Sequence, residues 1–150
     1  MKRILWLTVA TFAICLTTLT TYAQSSLKLR FSVPFAFTAQ NTVFPAGEYE
    51  VTQADRYVLR LRNVETQASG FEHVQPKSRT NGGGSAEVVF HRYGAEYFLA
   101  RVTDGPANFA YDLRQSKQER RLANGGSNPQ PNVVSILANR GGHSSDDGRK

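Results

Sequence analysis

The stretch Glu87-Val88-Val89-Phe90-His91-Arg92-Tyr93-Gly94-Ala95-Glu96-Tyr97-Phe98-Leu99-Ala100-Arg101-Val102-Thr103 decides the fold. Two runs dense in β-branched and aromatic residues flank Gly94-Ala95, which is the pattern of a β-hairpin. A two-residue loop with glycine first suits a type II′ turn, whose first central residue takes φ > 0. That loop sets His91 opposite Phe98, whereas a three-residue loop would slide the register by one and exchange the faces. Apolar residues fall on both faces in either register. The hairpin therefore belongs in the middle of the fold, buried on two sides.

Upstream, Leu27, Leu29, Phe31, Val33, Phe35 and Phe37 recur at spacing two, and the spacing predicts one strand over Leu27–Thr38 with a single buried side. Pro34 has no N–H to give, so that part lies at a sheet edge or beside a bulge. Turn chemistry at Gln40-Asn41 and Phe44-Pro45-Ala46-Gly47 leads into a strand with Tyr49 and Val51 inward. Tyr57 to Leu61 alternates again, with Arg60 and Arg62 outward. A weaker strand, Ser69 to Gln75, carries Phe71, His73 and Val74. Pro76 to Ser85 reads as a flexible loop with Gly82-Gly83-Gly84 at its tip; no Gly-Lys-Ser/Thr follows, as a phosphate cradle would require.

Downstream, Phe109, Tyr111 and Leu113 alternate as a short strand. Ser116-Lys117-Gln118-Glu119 is a capping-box pattern and Asn124-Gly125 a stop, which predicts a short surface helix with Leu122 as its only large apolar residue. Val133, Val134, Ile136 and Leu137 form a last strand. Elements about ten residues apart mark an all-β chain: a single antiparallel β-sandwich or small barrel of about seven or eight strands, with one short surface helix.

The ends of the chain read differently. Lys2 and Arg3, the apolar run Ile4 to Leu19 and Thr21-Tyr22-Ala23 are the three parts of a secretory signal peptide, so residues 1–23 are expected to be removed. Threonines dilute the run below the length of a spanning helix, and Phe12-Ala13-Ile14 before Cys15 is a poor lipoprotein signal. A β-domain over 24–139 and a disordered tail over 140–150 complete the division. The one cysteine, Cys15, leaves with the signal. The exported domain, periplasmic or extracellular, then holds together without disulfides, and thiol catalysis and cysteine metal sites are excluded.

Removal of Lys2 and Arg3 with the signal lowers the net charge from +6 to +4, which is mild. Arg30, Arg56, Arg60, Arg62, Lys77, Arg101, Arg114, Lys117, Arg120, Arg121 and Arg140 read as scattered over a solvated surface rather than gathered into a nucleic-acid footprint. Attraction to anionic envelope surfaces is compatible with them.

The residues Val33-Pro34-Phe35-Ala36-Phe37, Pro45-Ala46-Gly47-Glu48-Tyr49-Glu50-Val51, Val89-Phe90-His91-Arg92-Tyr93-Gly94 with Tyr97-Phe98-Leu99, and Ser116 to Arg120 resemble, in that order, an uncharacterised family of short exported bacterial all-β proteins. The resemblance spans about Phe31 to Leu137 and implies a secreted or periplasmic β-domain of bacterial origin. It carries over no catalytic residues. The glycine loop and the Gly/Ser/Asp-rich tail depart from its pattern.

Chemistry is sparse. His73, His91 and His143 lack ligand spacing, and a metal site would need a third ligand among Glu72, Glu87 or Glu96. His91 reads as a packed, hydrogen-bonded structural residue. There is no Gly-x-Ser-x-Gly elbow and nothing singles out a carboxylate pair. Inward strand positions account for most of Tyr49, Tyr57, Tyr93, Tyr97 and Tyr111. The expectation is a protein without catalytic residues, cofactor or metal, and with no specific nucleic-acid partner. It is read as an envelope or extracellular binding module, with His91, Arg92, Tyr93 and Tyr97 as the candidate surface for an envelope polymer or protein. The alternatives are an enzyme of unrecognised type and a small outer-membrane barrel. A barrel of that kind needs strands of about nine residues or more, which only Leu27–Thr38 offers.

Overall fold

The computed structural model describes residues 27–78, 84–105, 107–125 and 130–140. The expected signal peptide, the loop tip at Gly82-Gly83, and the tail from Gly141 with His143 lie outside the described residues. Within them the chain is almost entirely strand. In order come β1 (Lys28–Val33), β2 (Phe37–Ala39), β3 (Thr42–Phe44), β4 (Gly47–Asp55), β5 (Val58–Asn63), β6 (Ser69–Ser78), β7 (Glu87–Tyr93), β8 (Glu96–Asp104), β9 (Phe109–Leu113), helix α1 (Lys117–Asn124), β10 (Asn132–Leu137) and β11 (Asn139–Arg140). These eleven strands exceed the seven or eight expected, because the first expected strand is divided into β1 and β2, and β3 and β11 form where no strand was expected.

The path through the sheet runs β10-β7-β8-β9-β6-β5-β4-β1-β11, with β2 and β3 as a side hairpin. β6 joins the two halves: Ser69–His73 pairs with β5, and Val74–Ser78 pairs with β9. The strand continues through Pro76, where the sequence suggested a loop. Pro76 lies beyond the end of the β5 pairing and has a strand partner only in β9, so its missing donor is tolerated as at an edge. The phase of β6 runs against the hydropathy of its residues. Glu72 and Val74 point inward, while Phe71 and His73 are exposed.

The predicted twelve-residue first strand is divided at Pro34. β1 buries Leu29, Phe31 and Val33 and exposes Lys28, Arg30 and Ser32, as its alternation requires. The chain then bends through Pro34–Ala36 and crosses to the other half, where β2 meets β8 in parallel at Thr38↔Phe98. Phe37 and Phe44 of the β2–β3 hairpin join Tyr49 and Phe90 in an aromatic cluster with ring centroids 5.2–5.9 Å apart. The Tyr49 hydroxyl donates to the Pro45 carbonyl at 2.6 Å, so the ring is buried without stranding its polar end.

Of the two registers the sequence leaves open, the central hairpin takes that of the two-residue loop, His91↔Phe98 and Tyr93↔Glu96, with Gly94 at φ 62° in the turn. Both strands are flanked on both sides. A bulge sits between Val89↔Arg101 and Phe90↔Leu99, leaving Ala100 as the extra residue. Strict alternation from the buried Leu99 would turn Arg101 inward and Val102 outward. The bulge resets the phase, so Arg101 is exposed and Val102 is fully buried.

Consecutive strands occupy the two ends of the path. β10 pairs with β7 and β11 with β1, separated only by Ala138, whose N–H donates to the Ala86 carbonyl at 2.9 Å. Arg140 of β11 then grips the buried Asp104 of β8 through Nη2, 2.7 Å from each carboxylate oxygen. This ties one end of the path to the middle of the other half.

Candidate functional site

Helix α1 rests on the outer face of β7 and β8. Ser116 starts it as foreseen, its Oγ accepting from the Glu119 N–H at 2.9 Å. A full capping box would send the Glu119 side chain back to Ser116. Instead the Glu119 carboxylate is buried against the sheet and accepts from Nδ1 of His91 at 2.8 Å. Gln118 also reaches down, donating to Glu96 at 2.7 Å. A surface helix with almost no apolar face is thus attached by polar side chains, as the scarcity of apolar residues in Lys117–Asn124 demands.

Beside the helix lies a cleft of about 310 Å³ lined by Val89, His91, Ala100, Arg101, Asp112, Leu113, Gln115, Glu119 and Val133. The Arg101 guanidinium is 2.5 Å from Asp112, which Lys77 also approaches. Burial pushes the Asp112 carboxyl up, but Arg101 and Lys77 outweigh it and hold the group below the usual carboxylate range. His91, with Nδ1 committed to a carboxylate, has its ring orientation fixed. Among the described residues no three His, Cys, Asp or Glu side chains gather as a metal site.

The four hairpin residues named from sequence divide between the two faces. His91 and Tyr93 lie with Phe98 on the helix side; Tyr93 is buried, and burial together with the Glu119 charge pushes its hydroxyl pKa up. Arg92 and Tyr97 lie on the other side, where Tyr97 stacks on Phe35 at 3.7 Å and the Arg92 guanidinium sits 5.4 Å from the Tyr97 ring centre. They do not form one surface. Of the five tyrosines among the described residues, only Tyr57 is largely exposed, at 52%.

The surface that sequence reasoning missed is basic. Arg114, Lys117, Arg120 and Arg121 are all exposed on or just before α1, and among the described residues none is in an ion pair. Lys117, Arg120 and Arg121 line a shallow depression of about 570 Å³ with Asn124 and Gly125. The signal was present in the sequence as four cations within eight positions, interrupted by one acid, Glu119, that the fold withdraws. Most cations elsewhere are matched, although Arg56, Arg60 and Arg92 are also exposed and without an acid partner among the described residues. Lys28, Arg30 and Arg62 surround Glu50 at 3.4, 3.5 and 3.0 Å on the outer face of β1, β4 and β5. Comparison of the chain with protein-family models, with curated proteins and with solved structures found no match.

Proposed function

We propose that this chain is an exported, non-catalytic binding module whose ligand is an anionic polymer of the cell envelope, held by the basic face of α1. The observation that carries the reading is the set Lys117, Arg120 and Arg121, exposed around a shallow depression, with Arg114 exposed just before the helix, all four without acid partners among the described residues. A solvated surface usually intersperses its signs; a face of one sign focuses the field and concentrates counter-charged ligands. A shallow basic surface suits an extended polymer better than an enclosed small molecule. The signal-peptide pattern at residues 1–23 supports export, and the family resemblance points the same way. The joining of the path's two ends at Ala138 supports a small barrel over a two-sheet sandwich. The charged outward residues Lys28, Arg30, Glu50 and Arg62 speak against lipid contact on that side. A native gel-shift assay against polygalacturonate, inorganic polyphosphate and neutral dextran tests the ligand class. Retardation by the two polyanions and not by dextran is expected; equal behaviour with all three overturns the reading.

A second reading is favoured by the His91–Glu119 pair. A histidine oriented by a buried carboxylate in a concave cleft is the arrangement of a general base. No hydroxyl or thiol lines that cleft, so such an enzyme would act on water or on an acidic proton of its substrate. Hydrolase screening of wild type against His91→Gln separates it from the first reading: turnover lost in the variant would favour the enzyme.

A further inference from the structure

The C-terminal end of α1 carries a group whose chemistry the binding reading does not use. Asn124 is the last residue of the helix, is exposed, and lines the shallow depression with Lys117, Arg120 and Arg121. Gly125 follows as the cap and leaves the helix at φ -84° and ψ 96°. Inside a helix each peptide N–H is held by the carbonyl four residues back, which keeps its nitrogen from other partners. The Gly125 N–H instead makes a 3.4 Å bond to the Leu122 carbonyl, at the long limit of a hydrogen bond. Its nitrogen is therefore weakly engaged beside an amide side chain open to solvent, and glycine puts no Cβ in the way of an approach. Asn63 shows the opposite arrangement. It is buried, and its Oδ1 accepts from the Glu65 and Thr66 N–H groups at 3.0 and 2.9 Å.

We propose that Asn124 is a site of spontaneous deamidation, and that its conversion weakens the hold of the basic face on a polyanion; the second half rests on the binding reading proposed for α1. The Gly125 nitrogen loses its proton to hydroxide and attacks Asn124 Cγ. The new N–C bond closes a succinimide ring, and the side-chain nitrogen leaves as ammonia after taking a proton from water. Water then opens the ring at either carbonyl and gives aspartate or isoaspartate, with no oxidant or reductant consumed. Lys117, Arg120 and Arg121 favour both the ionised nitrogen and the oxyanion of the addition step, because opposite charge nearby stabilises an anion. The product places a carboxylate among cations that have no acid partner among the described residues. That carboxylate also stands at the C-terminal end of the helix, where the dipole disfavours negative charge. Both effects oppose a bound polyanion at the depression.

Incubation of the folded chain at mildly alkaline pH, followed by peptide mapping with mass spectrometry, tests the site. The incubation time is that in which the urea-unfolded chain converts, and circular dichroism confirms that the sample stays folded. Aspartate and isoaspartate should accumulate at position 124, and a more acidic species should appear on ion exchange, while Asn63 stays intact. Asn124→Gln should show no conversion there, because its extra methylene enlarges the ring that must close. Gly125→Ala is the poorer control, since a Cβ at that position would stand 2.9 Å from the Arg121 carbonyl oxygen. An intact Asn124 in the folded chain overturns the site. Asn124→Asp measures the consequence by fluorescence anisotropy with labelled polygalacturonate. Binding should weaken about twofold, one charge's share of the roughly tenfold expected for three. Unchanged affinity overturns the regulatory half. Mapping needs no polymer, so a chain that converts at position 124 but binds no polyanion overturns the binding reading and upholds the site.

Discussion

The carboxylate of Glu119, on the helix, lies 2.8 Å from Nδ1 of His91, on the central hairpin, across 28 positions of sequence. It is the buried link between α1 and the sheet, with the carboxylate side chain 4% exposed. The basic face of the helix is held where it is largely by this contact. Glu119→Ala should therefore lower stability by roughly 1–3 kcal/mol, the range for stranding a buried hydrogen-bonding group. His91→Gln should cost about 1–2 kcal/mol. Because they share one interaction, the double variant should cost clearly less than the two together. Chemical denaturation of the four proteins checks it, and strict additivity would mean that the pair does not hold the helix.

Glu72 gives a pH dependence of unusual sign. Its residue is 3% exposed and faces the core beside Gly70 and the Phe44 ring, where burial pushes its carboxyl up to about 7 from 4.5. The folded state then binds a proton that the unfolded chain has released, so this group's contribution to stability is full below about pH 4.5, falls as pH rises toward 7, and is lost above it. Glu72→Gln should raise stability at pH 8 by on the order of 2 kcal/mol and change it little at pH 4. Denaturation midpoints at both values check this. An equal effect at the two pH values would show that Glu72 titrates normally.

Phe37 and Phe35 separate the core from its rim. Phe37 is 2% exposed among Phe44, Tyr49 and Phe90, and Phe37→Ala should cost about 3–5 kcal/mol. Phe35 is half-buried in the bend after Pro34, and its truncation should cost distinctly less. Arg30, about half exposed and 3.5 Å from Glu50, should stay within about 1 kcal/mol on change to alanine. Urea unfolding ranks the three; a Phe35 effect as large as that of Phe37 would contradict the division of the first strand.

Local signals were legible in the sequence and distant ones were not. Gly94 announced the hairpin turn, Ser116 announced the helix start, and the alternation of Leu29, Phe31 and Val33 gave the buried face of β1. The alternation itself misled at Phe35. A period of two continues through Pro34 in the sequence, but only tertiary pairing decides that the chain leaves β4 there and joins β8. In β6 the neighbours Phe71 and Glu72 carry opposite hydropathy signals to their positions: the acid is inside and the aromatic outside. The His91–Glu119 contact was hidden because the nearer acids in sequence, Glu87 and Glu96, drew attention first. The basic face was hidden because its four cations read as part of a scattered surface charge, and Glu119, read as a capping residue, is withdrawn by the fold.

The central claim is that the charges of α1, and not the charge of the protein as a whole, hold an anionic polymer. Fluorescence anisotropy with labelled polygalacturonate at low salt measures it directly, comparing the chain carrying Lys117→Gln, Arg120→Gln and Arg121→Gln with one carrying Arg56→Gln, Arg60→Gln and Arg92→Gln. Both sets remove three exposed cations. The account predicts that the helix set weakens binding at least about tenfold, the equivalent of roughly 1.4 kcal/mol, and flattens the salt dependence, while the second set changes affinity by less than about threefold. Equal losses from the two sets, or unaltered binding after removal of the helix charges, would contradict it.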